Sequence, residues 1–141
     1  MSSMIREGYR GYVTSRSFFG ERAPQHVQNI VIRDYCRRRG FRYLLSATEY
    51  AMEDCYLMLQ GALDELTSIE GIVLYSLFLL PPRAEARLAI YDRVFAAGAS
   101  LHGAVESLGI AAREDAKRFE DIWAVKALAG TNALPPELRQ A

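Results

Sequence analysis

Gly71-Ile72-Val73-Leu74-Tyr75-Ser76-Leu77-Phe78-Leu79-Leu80 is the stretch that decides how this chain folds. It is apolar at nearly every position, opens on a glycine and stops at Pro81-Pro82. A run that does not alternate in polarity, set between helical patterns, predicts a parallel strand over 71–77 that is buried on both faces. In an open parallel sheet, ligands bind just beyond the carboxyl ends of the strands. Ser76, at the end of this run, therefore marks where a site is expected.

Upstream of the run, Tyr56, Leu59, Leu63 and Leu66 recur on one face of a helix predicted from about Glu53. Before it, Phe41 to Ala47 reads as a shorter, more polar strand nearer a sheet edge, with Thr48 to Met52 as its exit loop. Val27, Ile30, Val31 and Tyr35 define a helix from Pro24, stopped by Gly40. Gly8 to Thr14 is a first strand of aromatic and β-branched residues interrupted by glycine, and Ser15 to Arg22 is a loop. Downstream, Leu88, Tyr91, Val94 and Phe95 form a helix that ends at Gly98, and Ser100 to Glu106 forms a fourth strand. Ala112 to Ala129 closes the chain with Ala116, Phe119, Trp123 and Ala127 on one face.

Strand and helix thus alternate four times without an internal repeat. That order implies right-handed crossovers and a parallel sheet covered on both sides. The expectation is an α/β three-layer sandwich with a mostly parallel sheet of about four strands. A single domain would span 1–130, followed by a flexible tail over 131–141 around Leu134-Pro135-Pro136.

The chain has 141 residues, half of them hydrophobic, and 17 basic residues balance 17 acidic ones. No global field draws it to nucleic acid or to an acidic membrane, although Arg33, Arg37, Arg38, Arg39 and Arg42 cluster locally. The first residues lack the apolar stretch of a signal peptide, and the 71–80 run is far short of the ~20 residues that span a bilayer. Cys36 and Cys55 have neither metal-ligand spacing nor a secreted context, so reduced thiols in a cytoplasmic protein are expected. Cys55 falls near a helix N-terminus, where the dipole favours a thiolate.

Parallel strands would bring their exits to one rim: Ser15 and Arg16, then Ser46, Glu49 and Tyr50, then Ser76, and finally His102 and Glu106. His102 and Glu106 would share a strand face, and a carboxylate beside the imidazole would hold its tautomer. His102, Glu49 and Glu106 are the acid–base candidates. Arg16 would pair with an anionic group, and Tyr12, Tyr50 and Tyr56 offer stacking faces. Ser15-Arg16-Ser17-Phe18-Phe19-Gly20 matches no glycine-rich phosphate loop, and no metal or other cofactor is expected.

Two families share these segments. Tyr12-Val13-Thr14-Ser15-Arg16, the helix Gln28 to Gly40, and Gly71 to Leu80 with Gly98 to Glu106 resemble the catalytic domain of serine recombinases. That resemblance implies strand order 2-1-3-4. It also exposes a departure: where that family carries Leu-Asp-Arg-Leu-x-Arg, this chain has Leu77-Phe78-Leu79-Leu80-Pro81-Pro82. Register puts Arg16, flanked by Ser15 and Ser17, at the nucleophile position. Arginines there stabilise phosphoryl-transfer charge, so strand exchange and sequence-specific nucleic-acid binding are not expected.

The chain more closely resembles the sporadic carbohydrate cluster proteins. Arg10 to Arg16, Val27-Gln28-Asn29, Glu49 to Met52, Cys55-Tyr56 and Tyr75 to Pro81 carry the likeness. It implies a role in bacterial surface-polysaccharide biosynthesis and adds Gln28 and Asn29 to the binding candidates. The ligand expected is a sugar or nucleotide sugar, bound or transformed at the rim, and a homodimer is admitted. The alternative is a non-catalytic interaction protein whose Phe119–Trp123 helix face covers a partner.

Overall fold

The computed structural model describes residues 6–18 and 22–131. The N-terminal five residues, part of the expected loop after the first strand, and 132–141 of the expected tail lie outside the described residues. Five strands form one sheet: β1 (Tyr9–Thr14), β2 (Tyr43–Glu49), β3 (Gly71–Leu74), β4 (Ser100–Gly103) and β5 (Leu108–Ile110). Their order is β2-β1-β3-β4-β5, and only β5 runs antiparallel to its neighbour. The helices are α1 (Gln25–Arg39), α2 (Leu57–Asp64), α3 (Ala84–Ala96) and α4 (Ala116–Thr131).

α1 begins directly after Pro24 and ends at Gly40, whose φ of 71° lets its N–H turn back to the Arg37 and Cys36 carbonyls. Its Ile32, Tyr35 and Cys36 pack on Val13, Val73 and Ala104 across one sheet face. The other face carries the larger core, where Leu59 and Leu63 of α2, Ile90 and Val94 of α3, and Phe119 and Trp123 of α4 meet Tyr12, Ile72 and Leu74. The expected three layers are present. Phe119 and Trp123 are buried on their own sheet, so this face of α4 is not left for a partner.

The apolar run departs from its expected form. β3 stops at Leu74, and Leu77–Leu79 wind into a 3₁₀ turn capped by the Ser76 hydroxyl, which accepts the Phe78 N–H at 3.1 Å. Leu77, Leu79 and Leu80 are nonetheless buried. Burial keeps the run apolar whether its backbone is strand or turn. β2 extends to Glu49, two residues beyond its expected end, and α2 begins at Leu57 instead of Glu53.

The fourth strand ends at Gly103, short of Glu106. The chain turns through Ser107, at a left-handed φ of 55°, and returns as β5. Gly109 of β5 lies over His102, where a Cβ would fall 2.2 Å from the imidazole Nδ1.

Candidate functional site

Four parallel strands do deliver their carboxyl ends to one rim, and a cleft of about 300 Å3 opens there. Its walls come from the β1 exit (Arg16, Ser17, Phe18), the β2–α2 connection (Glu53, Asp54, Tyr56), the segment after β3 (Phe78 to Leu80, Pro82) and Trp123 of α4. Phe78 meets Trp123 edge-to-face at 5.1 Å between centroids. The cleft is therefore an aromatic trough with carboxylates and a guanidinium at its mouth.

Arg16 does not hang free at that mouth. Its Nη1 donates to the Met52 carbonyl at 3.0 Å and the Cys55 carbonyl at 2.8 Å, with a longer contact to Tyr50. The guanidinium lies 4.7 Å from the centroid of the Tyr56 ring. It thus folds the 50–56 connection onto β1 and flattens Tyr56 against the cleft.

A second brace holds the opposite lip. Arg87 is bidentate to Glu120, 2.8 Å for each bond, and donates from Nη1 to the Pro81 and Pro82 carbonyls at 3.1 and 2.7 Å. The Tyr91 hydroxyl reaches the same carboxylate at 2.6 Å, and the Arg87 guanidinium sits 4.1 Å from the Trp123 ring centroid. Burial opposes ionisation of Glu120, but the Arg87 and Tyr91 hydrogen bonds outweigh it and hold its pKa below the usual range. Trp123 Nε1 donates to the Leu77 carbonyl at 3.3 Å. Helix α4 and the Pro81-Pro82 lip are one unit.

The expected site residues divide into those at the cleft and those spent on the scaffold. Arg16 and Tyr56 line it. Tyr50 is exposed and does not line it; its carbonyl is a long contact of Arg16 and its N–H donates to Glu49. Ser76 and Glu106 line a smaller neighbouring cleft of about 160 Å3 with Phe18 and Phe78. There Ser76 donates to Glu106 at 2.8 Å and the Leu77 N–H donates to the same carboxylate at 3.0 Å. Glu106 is thus a strut for the 3₁₀ turn. Ser15 is half-buried just beyond β1.

Glu49 is buried and accepts five hydrogen bonds, from the Tyr12 hydroxyl, the Cys55 thiol and the N–H groups of Tyr50, Met58 and Leu59. Burial alone would raise its pKa, yet the hydroxyl and N–H donors hold it below the usual range. Burial and the Glu49 partner push the Tyr12 phenol well above its ordinary value. Cys55, whose Sγ is 3.7 Å from Glu49, is a buried thiol in the same knot.

Four further candidates do not line the cleft. Gln28, buried, ties α1 to the end of β1 through the Thr14 N–H and carbonyl. Asn29 and Ser46 both meet the Tyr43 hydroxyl, at 3.3 and 2.8 Å, beside Gly11 at the β1–β2 irregularity. His102 is buried beneath α1, with Nδ1 2.7 Å from the Tyr35 hydroxyl and Nε2 2.8 Å from the Ser100 hydroxyl. It does not share a face with Glu106, because the strand ends between them. Burial, with Arg39 nearby, lowers its pKa to about 4, so the imidazole is neutral at pH 7.

Phe18, Glu53, Asp54, Phe78, Pro82 and Trp123 were not singled out as site residues in the sequence. The signal for Phe78 and Pro82 was their place immediately after β3.

Solved structures of similar shape include the N-terminal catalytic domain of TP901-1 integrase. It superposes with a TM-score of 0.61 at 12% identity, covering 89% of this chain and 99% of that one. A resolvase family site-specific recombinase from Streptococcus pneumoniae superposes with a TM-score of 0.60 at 7% identity, covering 84% and 88%. The fold is resolvase-like. No family model and no curated protein matches the sequence significantly.

Phe78 and Leu79, which the sequence resemblance set against the Asp-Arg pair of serine recombinases, lie in the aromatic trough, with Leu79 buried. Among the described residues no group of three or more His, Cys, Asp or Glu is placed to hold a metal ion, and no helix is long and apolar enough to cross a membrane.

Proposed function

We propose that this chain is a protein of bacterial surface-carbohydrate biosynthesis that binds a sugar or nucleotide-sugar intermediate in the rim cleft. The observation that carries the reading is the trough of Tyr56, Phe78 and Trp123 edged by Glu53, Asp54 and Arg16. A pyranose ring has an apolar C–H face that packs on aromatic rings and hydroxyls that donate to carboxylates. Clefts of ~300–1,000 Å3 with few polar groups on apolar walls are typical small-ligand sites.

The sequence resemblance to the sporadic carbohydrate cluster proteins implies the same ligand class, and Tyr56 and Phe78 to Leu80, which fall in its segments, line this cleft. Such intermediates are made in the cytoplasm, which is where the protein would act. The reading is one of binding, because Glu49, Glu106 and His102 are all engaged by internal partners. Duplex DNA is not a proposed ligand.

The test is genetic. Deleting the gene in its host should reduce or alter the surface polysaccharide, and the wild-type gene should restore it. Tyr56→Ala and Phe78→Ala proteins that melt normally should fail to do so. An unaltered polysaccharide in the deletion strain would contradict the proposal.

A further inference from the structure

A second cleft, of about 590 Å3, lies between α2 and α3 and is lined in part by Gln60, Arg83 and Arg93. It shares Asp54, Tyr56 and Pro82 with the aromatic cleft, so the two form one continuous groove across the Tyr56–Pro82 saddle. We propose that this second cleft is the subsite for the diphosphate half of a nucleotide sugar whose sugar ring lies in the first. The inference rests on the sugar-binding reading of the aromatic cleft and makes the ligand a nucleotide sugar instead of a free one.

The charge pattern along the groove carries it. Arg83 meets Glu85 at 3.1 Å, and Arg93 meets Asp64 at 2.7 Å and Gln60 at 2.9 Å. The carboxylate partners are well exposed, and ion pairs of this kind are worth little in water. Both guanidiniums can exchange such a partner for a phosphate, which arginine holds with paired, charge-assisted hydrogen bonds.

Asp54 stands at the saddle with a left-handed φ of 57°, a conformation that aspartate adopts more readily than most residues. A carboxylate there accepts sugar hydroxyls and repels phosphate. Asp54 lines both clefts, so it is Arg83 and Arg93, the cations that line only the second, that would draw the anion there. Phe78 and Trp123, which line only the first, would take the ring.

The test is calorimetric titration of the full chain with three sets of probes. These are free glucose, galactose, mannose, rhamnose and N-acetylglucosamine; their UDP, GDP and dTDP forms; and UDP, GDP and dTDP alone. At least one nucleotide sugar should bind about tenfold or more tightly than its free sugar, the effect of a charge-assisted hydrogen bond. Arg83→Ala and Arg93→Gln, each checked for unchanged melting, should collapse that preference. Equal affinity for both forms, or a preference that survives both variants, would overturn the second subsite and leave the sugar site standing. Binding of a nucleoside diphosphate that needs Arg83, with no gain from the sugar, would keep the anion subsite and overturn the sugar reading. No binding of any probe would overturn both.

Discussion

Tyr12 of β1 donates its hydroxyl at 2.8 Å to Glu49 at the end of β2, and both side chains are buried. The same carboxylate receives the Met58 and Leu59 N–H groups at the start of α2. One buried charge thus fixes two adjacent strands and the helix that follows them, and with them the connection that carries Asp54 and Tyr56 into the cleft.

Glu49→Ala should destabilise the protein by about 3 kcal/mol, because it strands a phenol and several N–H groups. Urea unfolding monitored by circular dichroism would measure it. The folded-state pKa of Glu49 is depressed, so its contribution is present above the ordinary glutamate range and is lost as pH falls below it. Glu49→Gln should accordingly flatten the acid limb of the stability curve.

His102 acts on stability at higher pH. Its folded pKa is lowered from 6.5 to about 4, so the unfolded chain takes up a proton that the folded chain refuses. Stability should be full above pH 6.5 and decline as pH falls toward 4, by about 3 kcal/mol at most. His102→Gln, which cannot titrate, should lose that part of the slope, as read from melting temperatures between pH 8 and 4.

Removing the Arg87 brace should disturb both stability and the cleft. Arg87→Ala leaves Glu120 and Tyr91 without their cation and frees the Pro81 and Pro82 carbonyls. A loss of about 3 kcal/mol is expected. Trp123 fluorescence should shift to the red as α4 loosens. Arg87→Lys should recover only part of the loss, since an ammonium cannot make the bidentate pair.

The sheet was legible in the sequence because Ile72, Val73 and Leu74 are buried on both faces and little else is apolar all round. Where the strand ends was not, since Leu77, Leu79 and Leu80 are as buried in a turn as they would be in a strand. β5 escaped notice because it is three residues long, carries Gly109 at its centre and pairs across a tight turn.

The rim was legible from topology alone, but its residents were not. A polar residue near a strand end can face a ligand or brace its own backbone, and only the partner distinguishes them. Glu49 finds Tyr12, Glu106 finds Ser76, and Gln28 finds Thr14. The cleft is walled instead by Phe78 and Trp123, which read in the sequence as ordinary core.

The central claim is that a sugar ring sits in the aromatic cleft, and amide and indole chemical-shift mapping tests it most directly. Adding the panel of free and nucleotide-linked sugars to 15N-labelled protein should move the signals of Arg16 to Phe18, Asp54 to Tyr56, Phe78 to Leu80 and the Trp123 indole, leaving those around His102 in place. Perturbations confined to the α1 face, or no perturbation by any member of the panel, would contradict the account.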